Sequence, residues 1–136
     1  MARVRAALSY PLSGAGREEI RTATGRAVSE ITPEAVVSGE LDPGDVAAAP
    51  ETLRLQAGFA EEGGNPQLAE NLHRGAELAA FDDDELLRFY DMLRPGRSSA
   101  EELDSLAETL AERGAERCAA LVREARTTYV RRGLIT

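Results

Sequence analysis

Residues 50–81 read PETLRLQAGFAEEGGNPQLAENLHRGAELAAF, and the reading of this stretch decides the fold. It predicts two helices joined by a tight turn. Pro50 suits a first helical position, where its missing N–H costs nothing. Leu53, Ala57 and Ala60 form one stripe at helical spacing, and Leu55 and Phe59 form a second. The resulting arc, broken only by Gln56, suits a helix covered on more than one side. Gly63 and Gly64 stop the first helix, as glycine does just past a helix end. Asn65 is a good N-cap and Pro66 a good first residue for the second helix. Leu68, Leu72, Gly75, Ala76 and Ala79 fall on one face of that helix, and the small residues among them let another helix come close. Nothing in the hairpin carries catalytic chemistry. It reads as a packing element.

The composition around this hairpin narrows the classes. A chain of 136 residues predicts a single helical domain, 1–136. Aromatic residues make up only 4% and Trp is absent, so the apolar content, mostly Ala, Leu and Val, favours thin helix–helix contacts. The net charge of −8 argues against nucleic acid as the main partner, because phosphate binding needs a basic face. All 16 basic residues are Arg, which reflects codon usage in a GC-rich bacterial genome. The single cysteine, Cys118, has no internal disulfide partner and fits a reducing cytoplasm. No apolar run is long enough for a signal peptide or a membrane span.

Upstream of the hairpin the chain is irregular. Residues 1–16 are expected to be a flexible N-terminal segment, with Val4, Ala7 and Leu8 at helical spacing beside Arg3 and Arg5 and an extended Tyr10-Pro11-Leu12. Residues 18–24 predict a turn or two of helix. Thr32-Pro33-Glu34 is a helix start, with an N-cap, a proline at the first position and an acid that the helix dipole favours. Ser38-Gly39 ends that short helix. Asp42-Pro43-Gly44-Asp45 is a turn. Its two aspartates lack the ligand spacing of a calcium loop.

Downstream, Asp82 with Glu85 three residues on predicts a capping box rather than a metal site, because neighbouring acids on a helix do not converge. Leu86, Phe89, Tyr90 and Leu93 then form a helical stripe, which Arg94-Pro95-Gly96 ends. Ser98 and Glu101 read as a second capping box. Leu103, Leu106, Ala107 and Leu110 are in phase with Leu121, Ala125, Thr128 and Tyr129 across Gly114. That phase match predicts one long C-terminal helix over 99–132, ~50 Å from end to end, and with it an open, elongated all-α bundle. A break at Gly114, which costs about 1 kcal/mol relative to Ala in a helix, is the alternative.

Groups able to do chemistry are few. His73 is the only histidine, at the edge of an apolar face, and no partner for a general base is evident. Cys118 lies in the apolar helical run 118–122 and reads as a buried, inert thiol. Residues 113–132 hold six Arg and two Glu, a local charge of +4 that is either a solvated face or a docking strip for an acidic partner. No catalytic, cofactor-binding or metal-ligating residue is predicted. Pattern alone describes a helical interaction module.

Several blocks carry a family resemblance. They are the run 50–57, PETLRLQA; Leu68-Ala69 with Asn71, Arg74 and Ala76-Glu77-Leu78; Leu93-Arg94-Pro95 with Arg97-Ser98 and Glu101-Glu102-Leu103; and Cys118-Ala119-Ala120 with Val122-Arg123-Glu124-Ala125 and Tyr129-Val130. With Tyr10-Pro11-Leu12 and Thr22-Ala23-Thr24 they occur in the order found in the small subunit of adenosylcobalamin-dependent diol and glycerol dehydratases. The chain resembles that family from about Tyr10 to Leu134. Ala49 stands where the family usually has a capping Thr, a loss of ~1 kcal/mol.

The resemblance implies an open helical bundle that packs on a large barrel subunit in a dimer of heterotrimers with a medium subunit. Adenosylcobalamin is then held by the other subunits, and the complex converts 1,2-diols to aldehydes as a hydro-lyase. The residues expected at the partner interface are Leu53, Leu55, Phe59, Leu68, Leu72, Arg94, Arg97, Arg123 and Tyr129. Family members often carry a longer N-terminal extension linked to encapsulation. The expected location is therefore the cytoplasm, with a bacterial microcompartment as the alternative. The rival reading from another class is a free-standing helical adaptor or regulatory protein; an independent small enzyme would have to rest on His73 and Cys118.

Overall fold

In the computed structural model, which describes residues 8–14 and 16–136, several helices begin at the caps, and several end at the glycines, that the sequence places. Six α-helices follow one another: α1 Pro33–Val37, α2 Pro50–Glu62, α3 Pro66–Leu78, α4 Asp83–Met92, α5 Ala100–Glu112 and α6 Glu116–Arg131. Short 3-10 turns occupy Arg17–Glu19, Val28–Glu30 and Pro43–Val46. The extended pairing among the described residues is one isolated antiparallel bridge, Arg21 with Ala27. The chain is all-α. Of the flexible segment expected over 1–16, residues 1–7 and 15 lie outside the described residues.

The caps follow local chemistry. The Thr32 hydroxyl accepts from the Ala35 N–H at 3.2 Å, and Asn65 Oδ1 from the Leu68 N–H at 3.1 Å. Asp82 and Glu85 form the expected reciprocal box, at 2.8 and 3.1 Å. Ala49 offers no side-chain cap to α2. The second box is displaced by one residue from its expected place. Ser99, not Ser98, caps α5: Ser99 accepts from the Glu102 N–H at 3.2 Å and Glu102 from the Ser99 N–H at 2.8 Å. Ser98 is drawn inward and buried. Both pairs have the same spacing, so the pattern alone does not choose between them.

The expected long helix over 99–132 is absent. Two helices replace it, folded back on one another around Gly114. At Gly114 φ is +80°, a left-handed value that glycine adopts without steric cost. The Gly114 N–H donates to the Ala111 carbonyl at 2.9 Å and the Ala115 N–H to the Leu110 carbonyl at 2.8 Å. These two bonds engage two of the carbonyls that the last turn of α5 leaves free. The α2–α3 turn uses the same device, with Gly64 at φ +77° and the Asn65 N–H bound to the Ala60 carbonyl at 2.8 Å. An ion pair between Arg126 and Asp104, at 3.2 Å, shows that α6 runs antiparallel to α5.

The described residues divide into two compact units, at Ala76 and Glu77. The first buries small side chains: Ala35, Ala49, Ala57, Ala69 and Ala76, with Leu8 and Ile20 as the larger members. A Cβ placed on Gly75 would stand 3.7 Å from Leu53 Cδ1, so α2 and α3 approach closely there. This is the thin contact that the composition predicts.

The second unit has a fuller core. Phe81, Phe89, Leu103, Leu106, Leu110, Cys118, Ala119 and Val122 are buried together. Phe81 and Phe89 meet edge to face with centroids 5.3 Å apart. The Arg113 guanidinium lies 4.0 Å from the Phe81 ring centroid and pairs with Glu85. On α6 the buried face is shifted from the expected stripe. Val122 is buried while Leu121 is 41% exposed, because the antiparallel return sets a different face against α5 than a straight continuation would.

The start of α6 lacks a local cap, since Ala115 has no side chain able to accept. The Glu77 carboxylate fills the role from the last turn of α3. Its two oxygens accept from the Arg117 N–H at 3.1 Å and the Cys118 N–H at 2.9 Å. A negative group is favoured there by the helix dipole as well.

Two substitutions test this arrangement. Gly114→Ala meets no atom within 4 Å, so its cost is that of the backbone alone. It is expected to destabilise the chain by about 1–2 kcal/mol in urea unfolding. Were 99–132 a continuous helix in solution, the same change would stabilise it. Glu77→Ala is expected to cost about 1 kcal/mol and to speed amide exchange at Arg117 and Cys118; unchanged exchange at those two amides would contradict the capping role.

Candidate partner surface

Each acidic cluster singled out in the sequence has a structural use. Asp42 Oδ1 accepts from the Gly44 N–H at 3.0 Å, and Asp45 Oδ2 from the Asp42 N–H at 2.9 Å. Asp45 is buried, receives the Thr24 hydroxyl and pairs with Arg26 Nε at 3.3 Å. It ties residues 22–26 to the turn before α2. The Thr24 hydroxyl, then the Asp42 N–H and Arg26, hold its carboxyl below the ordinary carboxylate range. The Arg113 guanidinium, followed by the Asp82 N–H, does the same for Glu85. Among the described residues no three His, Cys, Asp or Glu side chains converge on a point that could hold a metal.

His73 and Cys118 lie in different units. His73 Nε2 is 3.5 Å from Glu61 Oε1, so it bridges α3 to α2. Cys118 is buried in the second core, and its backbone N–H is held by Glu77. Cys118 is kept from solvent, and the group beside the partly exposed His73 is the Glu61 carboxylate.

The residues expected at a partner interface fall into several places. In the first unit Leu53, Leu55, Phe59 and Leu72 are half-buried and Leu68 is exposed. Leu53 faces Gly75, and the Phe59 ring lies 6.2 Å from that of Tyr10. In the second unit Arg94 and Arg97 come together, sharing Asp91 Oδ1 at 3.3 and 3.8 Å. Arg123 is exposed on α6, ~120° around the helix from Tyr129. Tyr129 is half-buried and donates its hydroxyl to the Leu93 carbonyl at 2.6 Å, bracing α6 against the end of α4.

Sequence reasoning missed other exposed apolar side chains. Val36 and Val37 stand out from α1, and Val46 from the following turn. On α4, Leu87 is 67% exposed and Tyr90 72%. Tyr90 was expected on the buried stripe with Leu86, Phe89 and Leu93; only Phe89 is fully buried there, and Tyr90 points outward. The missed signal was the doubling of large apolar residues, Leu86-Leu87 and Phe89-Tyr90, which gives one helix two apolar faces. Beside α4 lies an open cleft of about 490 Å³ lined by Arg88, Phe89 and Met92 and by Ser105 and Leu106 of α5. It holds no nucleophile next to a base. No helix among the described residues is long and apolar enough to cross a membrane.

These features define a class: a helical chain in which Asp42, Asp45, Glu77, Asp82, Glu85 and Glu102 serve as caps and ties, and whose exposed apolar groups lie on outward faces. The chain matches the family described as dehydratase small subunit over residues 5–136, and belongs to it. It is 45% identical over 124 residues to the propanediol dehydratase small subunit of Salmonella typhimurium, a span covering 90% of this chain and 72% of that protein. It is 44% identical, with the same coverage, to the propanediol dehydratase small subunit of Citrobacter freundii.

The Asp45 ties generate a pH dependence. A carboxylate with a depressed folded pKa adds stability above its unfolded value of about 4, and loses it as pH falls through the lower folded value. Asp45→Asn is therefore expected to weaken protection of the Thr22–Ala27 amides at pH 7. The difference from the parent should shrink as pH falls below about 4. A difference that grows toward low pH would contradict the ties as drawn.

Proposed function

We propose that this chain is the non-catalytic small subunit of a propanediol-type dehydratase, a hydro-lyase complex that converts 1,2-diols to aldehydes. The observation that carries the reading is 45% identity across nine-tenths of the chain to a propanediol dehydratase small subunit. The chemistry of the chain agrees with an architectural part, because its candidate base and candidate thiol are both engaged in structure. In this reading it packs on a large barrel subunit and, with a medium subunit, completes a dimer of heterotrimers. Selectivity among propane-1,2-diol, glycerol and ethanediol then belongs to the large subunit.

The family's adenosylcobalamin supplies radical chemistry when bound. What supports placing it on the other subunits is the make-up of this chain's own clefts. Two of them, of about 490 and 380 Å³, are wide open to solvent, and an open cleft buries little of a large macrocycle. The one imidazole that could ligate a metal faces Glu61.

The test is reconstitution with the large and medium subunits. His73→Ala and Cys118→Ser complexes, normalised to bound cobalamin, are expected to keep turnover within about threefold of the parent, whereas loss of a general acid or base typically costs ~10²–10⁴-fold. A hundredfold drop with normal assembly would place a catalytic group in this chain. A chain that never co-purifies with those subunits would favour the free-standing adaptor.

A further inference from the structure

The loop between α4 and α5 is pinned at both ends by residues from the end of α6 and just beyond it. At the start of the loop the Tyr129 hydroxyl donates to the Leu93 carbonyl at 2.6 Å. At its close the Ala100 N–H, the first of α5, donates to the Thr136 carbonyl at 3.1 Å. The local capping box serves the Ser99 and Glu102 N–H groups, and Thr136 serves one of the other donors that a helix start leaves over. Between the two pins stand Arg94 and Arg97, in a turn with Gly96 at φ +77° and the Arg97 N–H on the Arg94 carbonyl at 3.1 Å. Residues 96–99 and 133–136 line one cleft, so the segment after α6 lies along the loop. A Cβ placed on Gly96 would stand 3.9 Å from the Leu134 carbonyl oxygen.

The two pins are not alike. Tyr129 belongs to α6 itself and packs against the second core. Thr136 lies past the helix, and α6 ends without its help. Gly133 takes φ +66°, its N–H donates to the Val130 carbonyl at 3.0 Å, and the Leu134 N–H donates to the Tyr129 carbonyl at 2.9 Å. These are the paired bonds of a Schellman end. Residues 135 and 136 are then held by the half-buried Ile135 side chain on the core and by the bond to Ala100, while Leu134 and Thr136 are exposed. A segment with so little buried apolar surface opens far more readily than its unit unfolds.

We propose that residues 135–136 are a strap that opens and closes on the α4–α5 loop while the rest of the second unit stays folded. Closed, it fixes the second end of the loop and with it the place of Arg94 and Arg97. Open, it leaves the loop pinned at Leu93 and gives the Ala100 N–H to water. The inference concerns this chain alone and does not rest on the subunit reading above.

The test is amide hydrogen exchange of the full chain, read residue by residue. The Ala100 amide is expected to be protected, yet to exchange roughly a hundredfold or more faster than that of Leu106 inside α5. Low urea should leave its rate unchanged, because a local opening exposes little surface. Ile135→Ala trims the half-buried contact and should speed exchange at Ala100 roughly fivefold. Ala100→Pro approaches the strap from the other side and keeps the test open if Ile135→Ala does not fold. It removes the donor at a first helical position, which suits proline, and Ser99 already has the extended φ −74° and ψ 168° that a residue before proline takes. In this variant the backbone order parameters of residues 135 and 136 should fall well below the parent's. An Ala100 amide that exchanges in step with Leu106, and with the same urea dependence, would overturn the inference, since the segment would then open only with the whole unit. An unprotected Ala100 amide would overturn it as well, and so would parent-like order at residues 135 and 136 in Ala100→Pro.

Discussion

The Glu77 carboxylate on the first amides of α6 is the contact on which the second unit depends. A helix start leaves N–H groups without partners, and α6 begins at Ala115 and Glu116 with no side chain of its own in reach. Glu77, some forty residues earlier, satisfies two of them. The bond sets Glu77 beside the start of α6, and the turn at Gly114 then returns α6 along α5. Phe81, four residues after Glu77, is thereby placed under Arg113, whose guanidinium also reaches Glu85 and the Ala80 carbonyl. One carboxylate and one arginine thus hold residues 77–85 onto the α5–α6 hairpin.

The first unit is held differently. Its buried side chains are mostly alanine, so little apolar area leaves water and close backbone approach takes the place of a deep core. Polar ties make up for this. Asp45 gathers a hydroxyl, a backbone amide and a guanidinium from two separate segments, while Asn65 and Thr32 close helix ends. Among the described residues six large apolar side chains, Val36, Val37 and Val46 among them, stay on its surface. A chain that folds with thin contacts and leaves apolar groups outside is suited to completing its burial on a partner. That agrees with membership of a family named as subunits.

Much of the helical layout was legible because its causes are local. A cap needs an acceptor side chain and the N–H groups two or three residues on, so Thr32, Asn65 and Asp82 announce their helices wherever the rest of the chain lies. Proline at 33, 50 and 66 and glycine at 39 and 64 work over equally short distances. The partner surface was less legible. Tyr90 and Leu121 were placed on buried stripes by their spacing, yet spacing names a set of residues on one face and does not say which face a neighbour covers.

The sequence by itself therefore determined the all-α class, the central hairpin, most helix starts and the family. Tertiary structure alone decided three things. It decided that the helix over 99–132 breaks, because the apolar phase is the same on either side of Gly114 and only packing of α6 onto α5 favours the left-handed turn. It decided that Ser99 and not Ser98 caps α5, because two overlapping boxes are equal in spacing and burial of Ser98 separates them. And it decided that Glu77 caps α6, because a bond across some forty residues leaves no periodicity in the chain and forms only when the fold brings its two ends together.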